Sequence, residues 1–321
     1  MNFGYLFKLA DKTTIAIDSS QEASLSFTPE QFCWIDLDLD KTAELNPWLR
    51  KAGVSEQELS DWRSAPDTSW YLHRQKLMME WLPVCLWDGE GLRQSQLLIC
   101  MTDSLIISAH RESLSCLANA RSACEDSFRS VGRTPGFIYF LIWDNLIDGL
   151  MPLYTAADAR LDDVEEAYLF GNTGATIFQD IIAIKQDIRM LKRSIVPMQR
   201  TLRHLVSTKL DLISEESLRY LNRLNENQDQ MALMFESLQE RSHSTLEGFN
   251  SVLSQQTNHS LKILTIFTTI LMPLSLIAGI YGTNFTFVPE FTWKYSYFAF
   301  WGVLLLLSIL MVMFLKKKKW L

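Results

Sequence analysis

Residues 263–281 read ILTIFTTILMPLSLIAGIY, and the chain runs straight on into GTNF at 282–285. Those first nineteen residues carry no charge, close to the roughly 20 residues a helix needs to cross hydrocarbon at about 1.5 Å per residue. A second uncharged run, YFAFWGVLLLLSILMVMFL at 297–315, follows after a short gap. One such run would suit a buried core helix. Two of them at the end of one chain predict two transmembrane helices, 263–281 and 297–315, joined by an outer loop, 282–296. A loop that only reversed the chain would not need a bare Gly and an Asn so close to lipid.

The basic residues set the orientation. Lys316, Lys317, Lys318 and Lys319 follow the second run at once, and Lys262 precedes the first, while the loop holds only Glu290 and Lys294 as charged residues. The positive-inside rule places both termini in the cytoplasm, with 316–321 as a basic cytoplasmic tail. Trp293, Tyr295, Tyr297 and Trp320 fit aromatic belts at the two interfaces. The N-terminus MNFGYLFKLADK lacks a basic stretch followed by an apolar core, so no cleavable signal peptide is expected and the expected location is the cytoplasmic (inner) membrane. Two helices cannot enclose a path through a bilayer, so any conduction requires several copies.

The remainder reads as a soluble, charged polypeptide. The chain has 321 residues, is 48% hydrophobic and has a formal net charge of −7, with no basic stripe on the soluble part, which argues against a nucleic-acid partner. Five cysteines without CxxC spacing suggest buried reduced thiols rather than a disulfide frame or a metal cluster. Residues 1–133 alternate strand-like runs (FGYLFKL, TIAID, FCWIDLDL, YLHRQKLMMEWLPVCLW, QLLICMTDSLIISAH) with a helical stretch near Lys41–Asp61, in which Ser55 caps and Glu58 follows three residues on. Turn signals fall at 18–20 and 88–91. This mixture predicts a cytoplasmic α/β domain. It contains no GxGxxG, P-loop, HExxH or GxSxG motif, its histidines have no ligand-like spacing, and no enzyme or cofactor is expected.

From Thr134 the chain is expected to be helical. Residues 134–213 form a cytoplasmic helical region, with one amphipathic helix over 137–168 and another over 179–206, broken or bent near Pro197. Asp158, Asp162 and Glu166 share a helix face, either as a solvated surface or as an electrostatic sink for cations near a pore entrance. Ser214 then opens a stalk helix over 214–262 that continues into the first span, 66 residues from Ser214 to Gly279, or about 100 Å. Its modest apolar stripe suits an oligomeric stalk.

Along the lower stalk and first span, Asn258, Leu261, Thr265, Thr268, Met272, Ser275 and Gly279 form a seven-residue repeat that collects most of the polar and small residues. Such a stripe can pack helix on helix. Because it leads to YGTNF at the outer mouth, it also suits the lining of a narrow conduction path. The loop offers carbonyls, an Asn amide oxygen and a Thr hydroxyl. Neutral oxygens of this kind can hold a hydrated divalent cation through its waters, since Mg²⁺ dehydrates reluctantly.

The stretch from about Asn258 to Leu321 resembles the CorA family of two-span divalent-cation channels, through MPLSLIAGIYGTNF, VPEFTW and the terminal KKKKWL. The family hallmark GMN is here Gly282-Thr283-Asn284. The resemblance implies a funnel-shaped homopentamer in the lipid bilayer, with the long helix lining a central pore. It also implies Gly282 and Asn284 at the selectivity loop, Asn258, Leu264 and Met272 as a polar ring and hydrophobic constrictions, and Ser275 as a small hydroxyl position. The cargo would be Mg²⁺, with Co²⁺ or Ni²⁺, held near Asn284 and Asn258. Two departures keep a zinc transporter of the ZntB branch in view. Thr283 replaces the middle Met, and an ungapped count places Arg223 where Mg²⁺-sensing members carry an Asp. His259 beside Asn258 could favour a softer metal such as Zn²⁺. A membrane-anchored sensor that no longer conducts is a third reading.

Overall fold

A computed structural model describes residues 3–17, 27–39, 47–64, 70–74, 76–87, 91–130, 134–208, 210–284, 288–318 and 320. The turns expected at 18–20 and 88–90, the first part of the helix expected from Lys41, and Phe285 and Lys319 lie outside the described residues. The chain forms two compact units, one of Met1–Ala167 with Gly174–Leu246 and one of Tyr168–Thr173 with Glu247–Leu321.

The first unit is built on a seven-stranded sheet. Its strands are β1 (Phe3–Lys8), β2 (Thr13–Ile17), β3 (Gln31–Asp38), β4 (Trp70–Arg74), β5 (Leu77–Trp87), β6 (Leu92–Met101) and β7 (Leu105–His110), in the order β2-β1-β3-β7-β6-β5-β4. Only β3 and β7 pair in parallel, with Cys33 opposite Leu105 and Ile107 opposite Ile35. Central strands such as β3, QFCWIDLD, are buried on both faces, so their side chains feed two layers. One layer joins Cys33, Ile35 and Leu37 to Trp48 and Leu49 of α1 (Pro47–Ala52) and to Leu59 and Trp62 of α2 (Glu56–Ser64). Within the stretch expected to be helical, a new helix opens after Ser55, as the sequence predicts. There Ser55 caps as read: Glu58 N–H donates to Ser55 Oγ at 3.3 Å, and Ser55 N–H donates back to Glu58 Oε2 at 2.9 Å.

Helices α4 (Pro135–Asp148) and α6 (Ala175–Thr208) pack against the sheet, and α3 (Ser115–Ser130), which the sequence reading did not separate from the strands, packs on α4. Two polar clusters lie within this layering. Trp34 Nε1–H donates to Ser108 Oγ at 3.1 Å, Ser108 donates to Asp36, and His110 Nε2 stands 3.1 Å from Asp36 Oδ2. All these groups are buried, and Ser108 is directed at the carboxylate rather than at the imidazole, so this is an internal polar brace and not a nucleophile–base pair. Glu80 is fully buried on β5, accepts a 2.8 Å bond from Trp143 Nε1–H, and burial pushes its carboxyl up to about 7.

The helical part differs from its sequence reading in two places. The stretch 137–168 is divided between α4 and α5 (Leu150–Leu169), and α6 runs through Pro197 without a break. Buried Ile195, Met198 and Leu202 flank that proline, so packing outweighs one missing backbone bond. α7 (Glu215–Tyr281) is one helix of 67 residues, opened by Ser214, whose Oγ accepts from Ser217 N–H at 3.2 Å. The apolar stripe expected to serve an oligomer is partly covered by the chain itself. Leu221, Leu224, Phe235 and Leu238 are buried, and Lys192 and Gln199 of α6 bond Gln239 and Asp229 of α7 at 2.7 and 2.6 Å.

Candidate functional site

The second unit holds the end of α7, the loop after it, a 3-10 turn (Pro289–Thr292) and α8 (Ser296–Lys317). Both α7 and α8 contain a stretch long and apolar enough to cross a membrane, and almost none of either stretch is buried in the chain. Beyond Phe249, Leu315 is the only apolar side chain fully buried among the described residues. Such a surface is poorly suited to water, and its length and composition are those of membrane-crossing helices.

On α7 the partly covered positions are Ile266, Thr269, Ile270, Pro273, Leu274 and Ile277. At about 100° per residue they lie across the helix from the stripe 258, 261, 265, 268, 272, 275, 279. Every residue of that stripe is exposed, Met272 by 72% and Leu261 by 54%, and a Cβ at Gly279 would meet nothing within 4 Å. The chain therefore brings these residues onto one open face and leaves that face without a partner. Leu264 is also exposed but sits about 70° to the side of the line.

The hydroxyls on this face do not dangle. Thr265 Oγ1 donates to Leu261 O and Thr268 Oγ1 to Leu264 O, each at 2.8 Å, so the protons are used within the helix and the oxygen lone pairs remain as acceptors. Asn258 and Asn284 are exposed, and neither side chain has a partner among the described residues.

α7 ends where the polar loop begins. Gly282 N–H donates to Ala278 O at 2.9 Å, Thr283 N–H to Ile280 O at 3.3 Å, and Thr283 Oγ1 to the same carbonyl at 2.5 Å. Gly282 does not adopt a left-handed backbone; instead a Cβ there would stand 3.3 Å from Ala278 O, so the glycine relieves crowding at the last turn. Thr283 thus closes the helix, while Asn284 is exposed in the loop beyond it. Beyond it, Tyr281 meets Phe300 edge to face at 5.3 Å, and Trp293, Tyr295 and Tyr297 remain more than half exposed at this end of the unit.

The acidic face of α5 answers one open alternative. Arg241 of α7 pairs with Asp158 at 2.5 Å, with Asp162, and with Glu165 at 3.0 Å, and Thr245 Oγ1 donates to Glu165 at 2.5 Å. The hydrogen bonds that the guanidinium donates to Asp162 and Glu165 hold it firmly protonated. Two of the three carboxylates expected as a cation sink are thereby occupied by a built-in cation, and Glu165 rather than Glu166 completes the group. Nothing local in the sequence marks Arg241, whose partners lie 76 to 83 residues away. Arg223 faces α4: burial and Asp148 push the Asp144 carboxyl up, and Arg223 opposes them. All five cysteines are free and buried, and burial pushes the thiols of Cys33, Cys116 and Cys124 up to about 12, which leaves them unreactive. Among the described residues no group of three His, Cys, Asp or Glu converges on a metal-sized site, and the candidate ion contacts are neutral.

Residues 29–317 match the family described as CorA-like Mg²⁺ transporter protein. The YfjQ protein of Bacillus subtilis strain 168 is 29% identical over 235 residues, 73% of each chain. The cobalt/magnesium transport protein CorA of Thermotoga maritima is 34% identical over 189 residues, 59% of this chain, and the match spans about half of that protein (53%). The complete structure of the CorA magnesium transporter of Methanocaldococcus jannaschii superposes with a TM-score of 0.84 at 18% identity, covering 100% of this chain and 99% of that one. The ZntB cytoplasmic domain of Vibrio parahaemolyticus superposes with a TM-score of 0.65 at 11% identity, covering 79% of this chain and 100% of that one. The soluble fold is therefore common to relatives of both names and does not itself select an ion.

Proposed function

The chain belongs to the CorA-like Mg²⁺ transporter family, and from that premise we propose that it is a homopentameric channel that moves divalent metal cations through the cytoplasmic membrane, with both termini in the cytoplasm. The observation that carries this reading is the open polar face of α7. Asn258, Thr265, Thr268 and Ser275 are exposed on a helix whose other surface is apolar, and the face runs to Gly282, Thr283 and Asn284. Lipid is a poor solvent for such groups, and α8 does not cover them, so copies of the same face turned towards a common axis are the arrangement that shields them.

Around that axis, Asn284 amides would form the outer ring and Asn258 amides an inner one, each offering neutral oxygens to a hydrated ion. Between them Leu264 and Met272 narrow the path with apolar side chains, which can gate by excluding water. With no fixed charge on this face, the driving force is the membrane potential, about 2.3 kcal/mol per elementary charge per 100 mV, which draws a divalent cation inwards. No covalent chemistry enters. Magnesium is the favoured cargo, with cobalt and nickel as further substrates.

Thr283 supports a second reading, a zinc transporter of the ZntB branch, because the hallmark Met is absent. Uptake of Mg²⁺, Co²⁺, Ni²⁺ and Zn²⁺ into proteoliposomes, for the native protein and Asn284→Ala, separates the two. Mg²⁺ uptake abolished by the substitution supports the proposal. Zn²⁺ uptake without Mg²⁺ uptake selects the second reading, and no uptake of any ion leaves a membrane-anchored sensor.

A further inference from the structure

The turn between α5 and α6 carries the most exposed large apolar side chain of the described residues, Phe170 at 84%, beside Leu169 at 71%. Comparable exposure occurs on α8, where Phe298 reaches 73%, but among the described residues only α7 and α8 hold stretches long and apolar enough to cross a membrane. From Ala167 to Gln179 the sequence AYLFGNTGATIFQ contains no charge, although acidic residues stand on either side at Glu165, Glu166 and Asp180. A turn placed in bulk water has no reason to present two large apolar groups in an uncharged window.

The turn has a defined position along α7, within the same compact unit. Thr173 Oγ1 donates to Gln256 Oε1 at 2.5 Å and Gln256 Nε2 donates to Gly171 O at 3.3 Å. Gly171 takes a left-handed backbone at φ +92, which reverses the chain there. Tyr168 packs edge to face on Phe249 at 6.2 Å and its hydroxyl lies against Gly248, where a Cβ would come within 2.6 Å of it. Gln256 precedes Ile263, the first residue of the apolar run, by seven positions, or about 10 Å of helix. The headgroup layer is roughly 5–7 Å deep on each side of the hydrocarbon, so a phenylalanine at this level reaches its inner-leaflet edge.

The side of the helix matters as well. At about 100° per residue, positions 248, 249 and 256 lie across α7 from the stripe 258, 261, 265, 268 and 272. If that stripe faces a pore axis, the turn is on the outward side, where the surroundings at this height are lipid headgroups. We infer that Leu169 and Phe170 form a peripheral membrane contact, resting in the headgroup layer of the cytoplasmic leaflet and tying the α5–α6 hairpin to the bilayer beside the first span. This inference takes the membrane level and the pore face from the proposed function. Its occupant is a lipid surface, not a second copy of the chain.

The test is a nitroxide attached at Phe170→Cys in full-length protein in lipid nanodiscs. The five native cysteines are buried, so the label reports the introduced thiol. A second label at Glu240→Cys, exposed on α7 more than 30 Å of helix from Ile263, gives the aqueous reference. The expected result is a ratio of oxygen to water-soluble nickel-chelate accessibility about threefold or more above that reference. An equal ratio overturns the inference. So does dipolar broadening at Phe170→Cys that vanishes when labelled chains are diluted with unlabelled ones, because a neighbouring copy then covers the turn. Cation uptake by the same variants is read separately: lost uptake in the native protein refutes the channel, whereas a water-exposed label in a conducting protein refutes only this contact.

Discussion

The two compact units treat their charged and polar groups differently. In the first, several charged side chains are paired within the chain: Arg241 holds Asp158, Asp162 and Glu165, Asp36 takes Ser108 and His110, and Trp143 donates to Glu80. In the second, Asn258 and Asn284 have no side-chain partner among the described residues, and the apolar side chains around them are exposed. A unit whose charges are paired and whose apolar groups are buried folds towards its own core. A unit with open amides on one helix face and bare hydrocarbon on the other is completed by surroundings, and amides and hydrocarbon need different ones.

That contrast can be broken by substitution. The largest effect is expected on the open face. Met272→Lys places a fixed positive charge where the account puts a pore constriction, and cation uptake into proteoliposomes should fall by about tenfold or more while the assembled protein is still recovered. Within the first unit, Arg241→Ala leaves three carboxylates facing one another without a cation. We expect a loss of about 2 kcal/mol in denaturant unfolding, shrinking as salt screens the repulsion. If stability is unchanged at low salt, the claim that this unit neutralises itself is wrong.

A smaller effect is expected at Gly248. Alanine in a helix is favoured over glycine by about 1 kcal/mol, but here the added methyl meets the Tyr168 hydroxyl, and overpacking costs about 1–3 kcal/mol. The net should be a loss of about 1 kcal/mol, relieved in the Tyr168→Phe background, as a double-mutant cycle would read. A further effect concerns pH. Burial raises the Glu80 carboxyl from its ordinary value near 4.5 to about 7, so the folded state holds a proton that the unfolded state releases between those values. Its contribution is full below pH 4.5 and is lost as pH rises through about 7. Glu80→Gln should therefore flatten the fall of Tm between pH 5 and 8, which thermal unfolding at several pH values would show.

What was legible in the sequence was local. Two uncharged runs, the Ser55–Glu58 capping box and the Ser214 cap are each written within a few residues, and each is present as read. The strand run of β3 was readable for the same reason, whereas YLHRQKLMMEWLPVCLW and QLLICMTDSLIISAH, each read as one run, are divided into β4 and β5 and into β6 and β7. What escaped depended on distance. Pro197 looked like a break or a bend, and the buried neighbours that keep α6 continuous through it cannot be seen from the residue itself. Arg241 carries no local mark of its role, since its three carboxylates come from α5. Gly248 carries none either, since the hydroxyl against it belongs to Tyr168. The α3 helix buries Cys116, Leu117, Ala120, Cys124 and Phe128 at helical spacing, but small residues fill most of that face, so it was not separated from the strands before it. The candidate site itself was legible as a stripe and a tripeptide, and the structure added that the stripe is open and its threonine protons are spent inside the helix.

The central claim is that the open face of α7 lines the conduction path. The most direct measurement is cation uptake by Thr268→Cys, on that face, and by Ile270→Cys, across the helix from it, before and after reaction with a small charged thiol reagent. The native cysteines are buried and contribute no background. The account predicts that modification blocks uptake through Thr268→Cys and leaves Ile270→Cys conducting. Block at Ile270→Cys with Thr268→Cys unaffected would contradict it, and would place the path on the other side of the helix.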